Sequence, residues 1–142
     1  MKGCQICFGQ ETIYITCLSR TVFGIWISCL PVFKLDRNID SQQLGEKILE
    51  VLQYSLDGIP HDNLKETSES ALTALGFTDW ETFDKEIVPV SIIYTNKEIQ
   101  ITPYIPAEDG YGFDPLNEKK LTCALEAKTI GKLIFEAHNH NS

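Results

Sequence analysis

The period of the hydrophobic positions changes several times along the chain, and each change predicts an element. Residues Thr12 to Leu18 are rich in β-branched and aromatic side chains and alternate in part, as a half-buried strand does. Ser19 and Arg20 read as a turn into a second strand, Val22 to Cys29. That strand can run on to Leu35, with Pro31 marking a kink, bulge or edge position. From Leu44 the period becomes helical. Leu44, Ile48, Val51 and Leu52 make one stripe, the spacing of Asp40 and Gln43 fits a capping box, and Gly58 and Pro60 stop the helix. Residues Ser68 to Leu75 predict a short helix ended by Gly76, and Thr78 with Glu81 caps another that reaches about Lys85, with Trp80, Phe83 and Ile87 inward. Val88 to Tyr94, a turn at Asn96 and Lys97, and Glu98 to Ile105 predict a hairpin with one wet face. Ala107 to Asn117 reads as a loop, Lys119 to Leu125 as a strand, and Ala127 to Ala137 as a last amphipathic helix before a polar tail, His138 to Ser142.

Two of these helices share a pattern. Leu44-Gly45-x-x-Ile48-x-Glu50-Val51 matches Ile130-Gly131-x-x-Ile134-x-Glu136-Ala137 position by position. Helical periodicity alone accounts for the Ile matches, but glycine costs about 1 kcal/mol inside a helix relative to alanine. The shared glycines predict a close approach of each helix start to a sheet. The whole pattern predicts an α+β fold, an antiparallel sheet flanked by helices with a weak internal strand–helix repeat, and one domain over residues 1–142.

Composition narrows the function classes. The chain carries 12 basic and 20 acidic residues, a net charge of -8, and only two arginines. Few phosphate contacts are available, so nucleic acid is not expected as a partner; a basic protein is. Residues Val22 to Phe33 form the richest apolar stretch, too short for a membrane span, and the start has no signal-peptide run, so a cytoplasmic protein without a membrane partner is expected. Five cysteines, Cys4, Cys7, Cys17, Cys29 and Cys123, are an odd set that reads as reduced thiols. Cys4 and Cys7 form a single CxxC without the second ligand pair a zinc site needs, while Cys17 and Cys29 read as small core residues. No metal and no cofactor is expected. No nucleophile motif stands beside His61, His138 or His140, and no catalytic residue is assigned.

The loop before the last strand is the most informative polar segment. Glu108, Asp109, Asp114 and Glu118 surround Tyr111 and Phe113 on a stretch with two glycines. Aromatics among charges on a loop suit a protein-binding epitope, although Phe113 reads equally as a core anchor. The acids Asp79, Glu81, Asp84 and Glu86 read as a solvated face.

From Phe33 onwards the chain resembles the immunity proteins of contact-dependent growth inhibition, the CdiI family of Gram-negative bacteria. The resemblance rests on an ordered series: Leu44-Gly45-x-x-Ile48-x-x-Val51-Leu52 followed by Ser55; Leu75-Gly76-x-x-x-Trp80-x-x-Phe83; the hairpin ending Ile99-x-Ile101-x-Pro103; Gly112-Phe113; and Ile130-Gly131 in the final helix. It spans about 100 residues and leaves Met1 to Leu30 poorly covered. It implies a helix-framed antiparallel sheet, Whirly-like in some members. The implied function is stoichiometric neutralisation of the C-terminal toxin domain of a CdiA-type effector, commonly a nuclease, by a non-enzymatic monomer or weak homodimer. An acidic inhibitor can occupy a nuclease's basic cleft with electrostatically steered association. The toxin contact is then expected at Glu108, Asp109, Tyr111, Asp114 and Glu118. The alternative is a single-strand nucleic-acid-binding module using Tyr14, Trp26, Tyr94 and Tyr104 on a Whirly-like sheet.

Overall fold

A computed structural model describes residues 1–139 of the chain. Eight strands form one open sheet: β1 (Lys2–Phe8), β2 (Thr12–Thr21), β3 (Trp26–Asp36), β4 (Asp57–Ile59), β5 (Val88–Thr95), β6 (Glu98–Pro106), β7 (Phe113–Pro115) and β8 (Leu121–Cys123). The helices are α1 (Ser41–Leu52), α2 (Leu64–Leu75), α3 (Trp80–Glu86) and α4 (Ala127–Asn139). The strand order is β3-β2-β1-β5-β6-β7, with β8 on β6 and the short β4 on β2. Every pairing is antiparallel except β2 with β4. The fold is the predicted α+β sheet flanked by helices. No helix among the described residues is long and apolar enough to cross a membrane.

β1 sits at the centre of the sheet and escaped the pattern analysis, because both its faces are covered. Cys4, Ile6 and Phe8 join the core under α1 and α4, whereas Cys7 joins the smaller core under α2 and α3. A central strand buried on both faces loses the polar alternation that marks a strand with a wet side. β2 runs straight through Ser19 and Arg20, predicted as a turn; the actual turn lies at residues 22–25. β3 lies at the sheet edge and crosses Pro31 beside a bulge at Thr16 and Cys17, as the proline predicted. α2 starts four residues earlier than Ser68, and α3 is capped by Asp79 instead of Thr78, its carboxylate accepting from the Thr82 amide at 2.7 Å. β8 covers only Leu121–Cys123, leaving Leu125 exposed.

The twin glycines are buried, and their neighbours are not sheet atoms. A Cβ built on Gly45 falls on the Ala127 carbonyl, and one built on Gly131 falls on the Ser41 carbonyl, both far inside van der Waals contact. Each glycine thus admits the first residue of the other helix. α1 and α4 cross with their backbones touching, and together they cover one sheet face through Leu44, Ile48, Val51, Ile130 and Ile134. Small residues permit such an approach because no side chain separates the two backbones.

The end of α4 also differs from expectation. His138 is part of the helix and only 8 % exposed; it stacks on Phe8 at 4.0 Å between ring centroids. His140, Asn141 and Ser142 lie outside the described residues.

Candidate functional site

The second sheet face is covered over half its width. There α2 and α3 meet the strands through a set of edge-to-face rings: Tyr14, Phe77 and Trp80 all surround Phe83 at centroid distances of 5.0 to 5.6 Å. Phe113 packs against this cluster as a core anchor, which settles the choice left open for it. The anchored Phe113 starts β7, which pairs Pro106 with Phe113 and turns Ala107–Gly112 into the tip of a hairpin, not a free loop. The tip is tied by Ala107 N donating to Gly112 O at 3.1 Å and Gly110 N donating to Ala107 O at 3.0 Å. Gly110 and Gly112 take positive φ of 81° and 70°, a conformation glycine adopts without strain.

Between this tip and α3 lies a cleft of about 600 Å³, walled by Ile87, Val88 and Pro106, with Glu81 and Asp84 on one side and Tyr111 on the other. Tyr111 is 79 % exposed, so its ring projects from the hairpin. Asp109 accepts from the Tyr111 amide at 2.9 Å and fixes the turn that presents the ring. Glu108 and Asp109 stand exposed beside it. Asp114 follows the anchored Phe113 by one residue on β7, so it takes the opposite face of the hairpin. Glu118 lies on a separate 3₁₀ turn, Asn117–Lys119, beyond the strand. Three of the five expected contact residues therefore group at the tip, and Asp114 and Glu118 do not join them.

Asp84 was read as part of a solvated face and is the polar residue the sequence analysis missed. It is half-buried on the cleft wall, and burial pushes its carboxyl above the usual range. No hydrogen bond or ion pair holds its carboxylate among the described residues. Its neighbour Glu81 is satisfied by Lys85 at 3.2 Å, and Asp79 is held below the usual range by the Thr82 amide and hydroxyl. The available signal was spacing: Asp84 follows the buried Phe83 by one position, at the border of the packed stripe.

Two other surfaces were not anticipated. At the far end of the sheet the β2–β3 turn exposes Val22, Phe23 and Ile25 beside Met1 and Leu56, with Phe23 73 % exposed and edge-on to His61. Asp57 holds this end together, accepting from the Met1 ammonium at 3.0 Å with Arg20 at 3.9 Å. The uncovered half of the second sheet face carries Trp26, seated over Gly3, and Tyr104, hydrogen-bonded to Ser91 at 3.2 Å. Tyr14 belongs to the ring cluster and Tyr94 packs on the other face, so the four strand aromatics do not make one platform. The CxxC is split as well. Cys4 and Cys7 point to opposite faces of β1, and one metal ion cannot reach both.

The sequence matches no protein-family model and no curated protein. The fold matches solved structures over nearly its whole length. One is a protein of unknown function from Neisseria meningitidis, with a TM-score of 0.82 and 16 % identity over 99 % of this chain and 95 % of that one. Another belongs to the CdiA-CT/CdiI toxin and immunity complex from Yersinia pseudotuberculosis, with a TM-score of 0.74 and 12 % identity over 99 % of this chain and 97 % of that one. This chain has their fold. At these identities the likeness concerns architecture, and the side chains of the cleft are this chain's own.

Proposed function

We propose that this chain is an immunity protein that neutralises the C-terminal toxin domain of a CdiA-type effector by stoichiometric binding in the cytoplasm, without catalysis. The observation that carries the reading is the whole-length likeness to a chain of a toxin and immunity complex, reached independently of the ordered sequence pieces. The net charge of -8 supports a basic partner such as a nuclease. The toxin contact is assigned to the α3–hairpin cleft. A cationic side chain from the partner, entering between Tyr111 and α3, would meet the unpaired Asp84 against apolar walls, and Glu108 and Asp109 would form the charged rim. Pairing a partly desolvated carboxylate of this kind strengthens a complex by more than a rim acid does. A stable interface buries roughly 1,200–2,000 Å² in total, so the flanks of the hairpin with Asp114, and Glu118 beyond it, belong to the outer contact.

The test is co-expression with candidate CdiA-type C-terminal toxin domains, scored by survival and by binding of the purified pair. Charge reversal at Asp84, Glu108 and Asp109 together should abolish both, whereas Phe23→Ala at the opposite end should leave both intact. Survival without a stable complex would reject stoichiometric inhibition. Loss of binding in Phe23→Ala, with the charge reversals silent, would move the interface to the apolar sheet end.

A further inference from the structure

On the sheet face under α1 and α4, three thiols stand in a row across adjacent strands. Cys4 of β1 is directly opposite Cys17 of β2, and Cys17 is directly opposite Cys29 of β3. The three differ in access: Cys4 and Cys17 are fully buried, and Cys29, on the edge strand, is half-buried. The sulfur of Cys29 lies 3.5 Å from the Cys17 carbonyl oxygen and 3.3 Å from the Ser19 hydroxyl. Directly opposed residues on antiparallel strands have Cβ atoms roughly 4.5–5.5 Å apart, close to the roughly 3.5–4.5 Å that a disulfide spans. The bulge beside Cys17 gives the backbone room for the remaining adjustment.

We propose that Cys17 and Cys29 are an oxidisable dithiol, in which a hydroperoxide oxidises Cys29 and Cys17 resolves it to a disulfide joining the edge strand β3 to β2. Cys29 is the attacking thiolate. The neighbouring Cys17 thiol and the Ser19 hydroxyl hold its pKa below the usual thiol range although burial pushes the other way. The Cys29 thiol beside it and burial push Cys17 up, and burial pushes Cys4 up, so both stay thiols.

In the first step the Cys29 sulfur attacks the distal peroxide oxygen. The O–O bond breaks, and the alkoxide leaves and is protonated by water, giving a sulfenic acid and an alcohol. In the second step the Cys17 sulfur attacks the Cys29 sulfur. The S–O bond breaks, and hydroxide leaves with the Cys17 proton as water. Two thiols lose two electrons in total, and one hydroperoxide is reduced. Cys7 faces the other side of the sheet, and Cys123 lies on β8, separated from β1 by β5 and β6, so neither competes as the resolving thiol.

The experiment treats the full chain with stoichiometric hydrogen peroxide and maps the product by mass spectrometry. The expected product has lost two hydrogen masses, regains them with dithiothreitol, and yields a peptide linking Cys17 to Cys29. In Cys17→Ser the reaction should stop at a dimedone-reactive sulfenic acid on Cys29. Should the serine variants fail to fold, alkylation of the unaltered protein decides: Cys29 should react at least about tenfold faster with iodoacetamide than Cys17 or Cys4. A Cys4–Cys17 link, oxidation of Cys29 to sulfinic acid without a link, or equal alkylation rates would overturn the proposal.

Discussion

Asp84 and His138 show how a single position can carry a cost that the rest of the fold sustains. Burial raises the pKa of Asp84, so its ionisation disfavours the folded state as pH rises through that raised value. Asp84→Asn should therefore raise the Tm of the free protein at pH 7, while weakening a complex with a basic toxin domain by about 2–5 kcal/mol. Unchanged affinity beside a higher Tm would remove Asp84 from the interface. His138 has the opposite sign. Burial and then the Arg37 guanidinium, 2.8 Å from its Nε2, push its pKa below the ordinary value near 6.5, and its buried Nδ1 has no hydrogen-bond partner among the described residues. The unfolded chain binds the proton more readily, so this contribution to stability is complete above about pH 6.5 and is lost as pH falls through the lower folded value. Urea unfolding at pH 7.5 and pH 5 should show a drop in wild type that is smaller in His138→Gln; equal drops would clear His138 of the effect. Neither residue was legible from its type. Asp84 sits in a run of acids, and His138 in a polar terminal stretch. Their environments come from the hairpin tip across the cleft for Asp84 and from Phe8 for His138, which the chain places next to them only on folding.

The helices were the most legible elements, since one buried face imposes a stripe at helical spacing that survives in the sequence. The paired Gly45 and Gly131 also announced a close approach, but the partner was unreadable, because a bare backbone can oppose either a strand or another helix. Alanine is the better helix former by about 1 kcal/mol, so on propensity alone Gly45→Ala and Gly131→Ala should stabilise. The crossing of α1 and α4 reverses that expectation: each new Cβ must displace the carbonyl it falls on. Each variant should lose about 1–3 kcal/mol or more in chemical denaturation. The double variant should lose less than the sum, because one separation of the helices accommodates both methyls. An additive pair, or a gain in either single variant, would contradict the shared crossing.

At the scale of the whole molecule, charge and sheet exposure point the same way. Twenty acids against 12 basic residues leave few cations to neutralise phosphates, and the uncovered half-sheet offers Trp26 and Tyr104 without their two fellow aromatics. Single-stranded RNA should show no sub-micromolar binding near 150 mM salt, and tight binding in an electrophoretic shift assay would revive that reading. The sheet as a whole was foreseeable; its central strand was not, because burial on both faces erased the alternation. The crossing of α1 with α4 has a further consequence in the order of synthesis. α1 is made before β5, β6 and α4, and the groove at Gly45 is filled only by Ala127. The emerging chain thus carries Leu44, Ile48 and Val51 without their cover until the last helix clears the ribosome. Native packing of the main core must wait for translation of α4, and a chain interrupted before Ala127 exposes a greasy half-core that chaperones and proteases recognise.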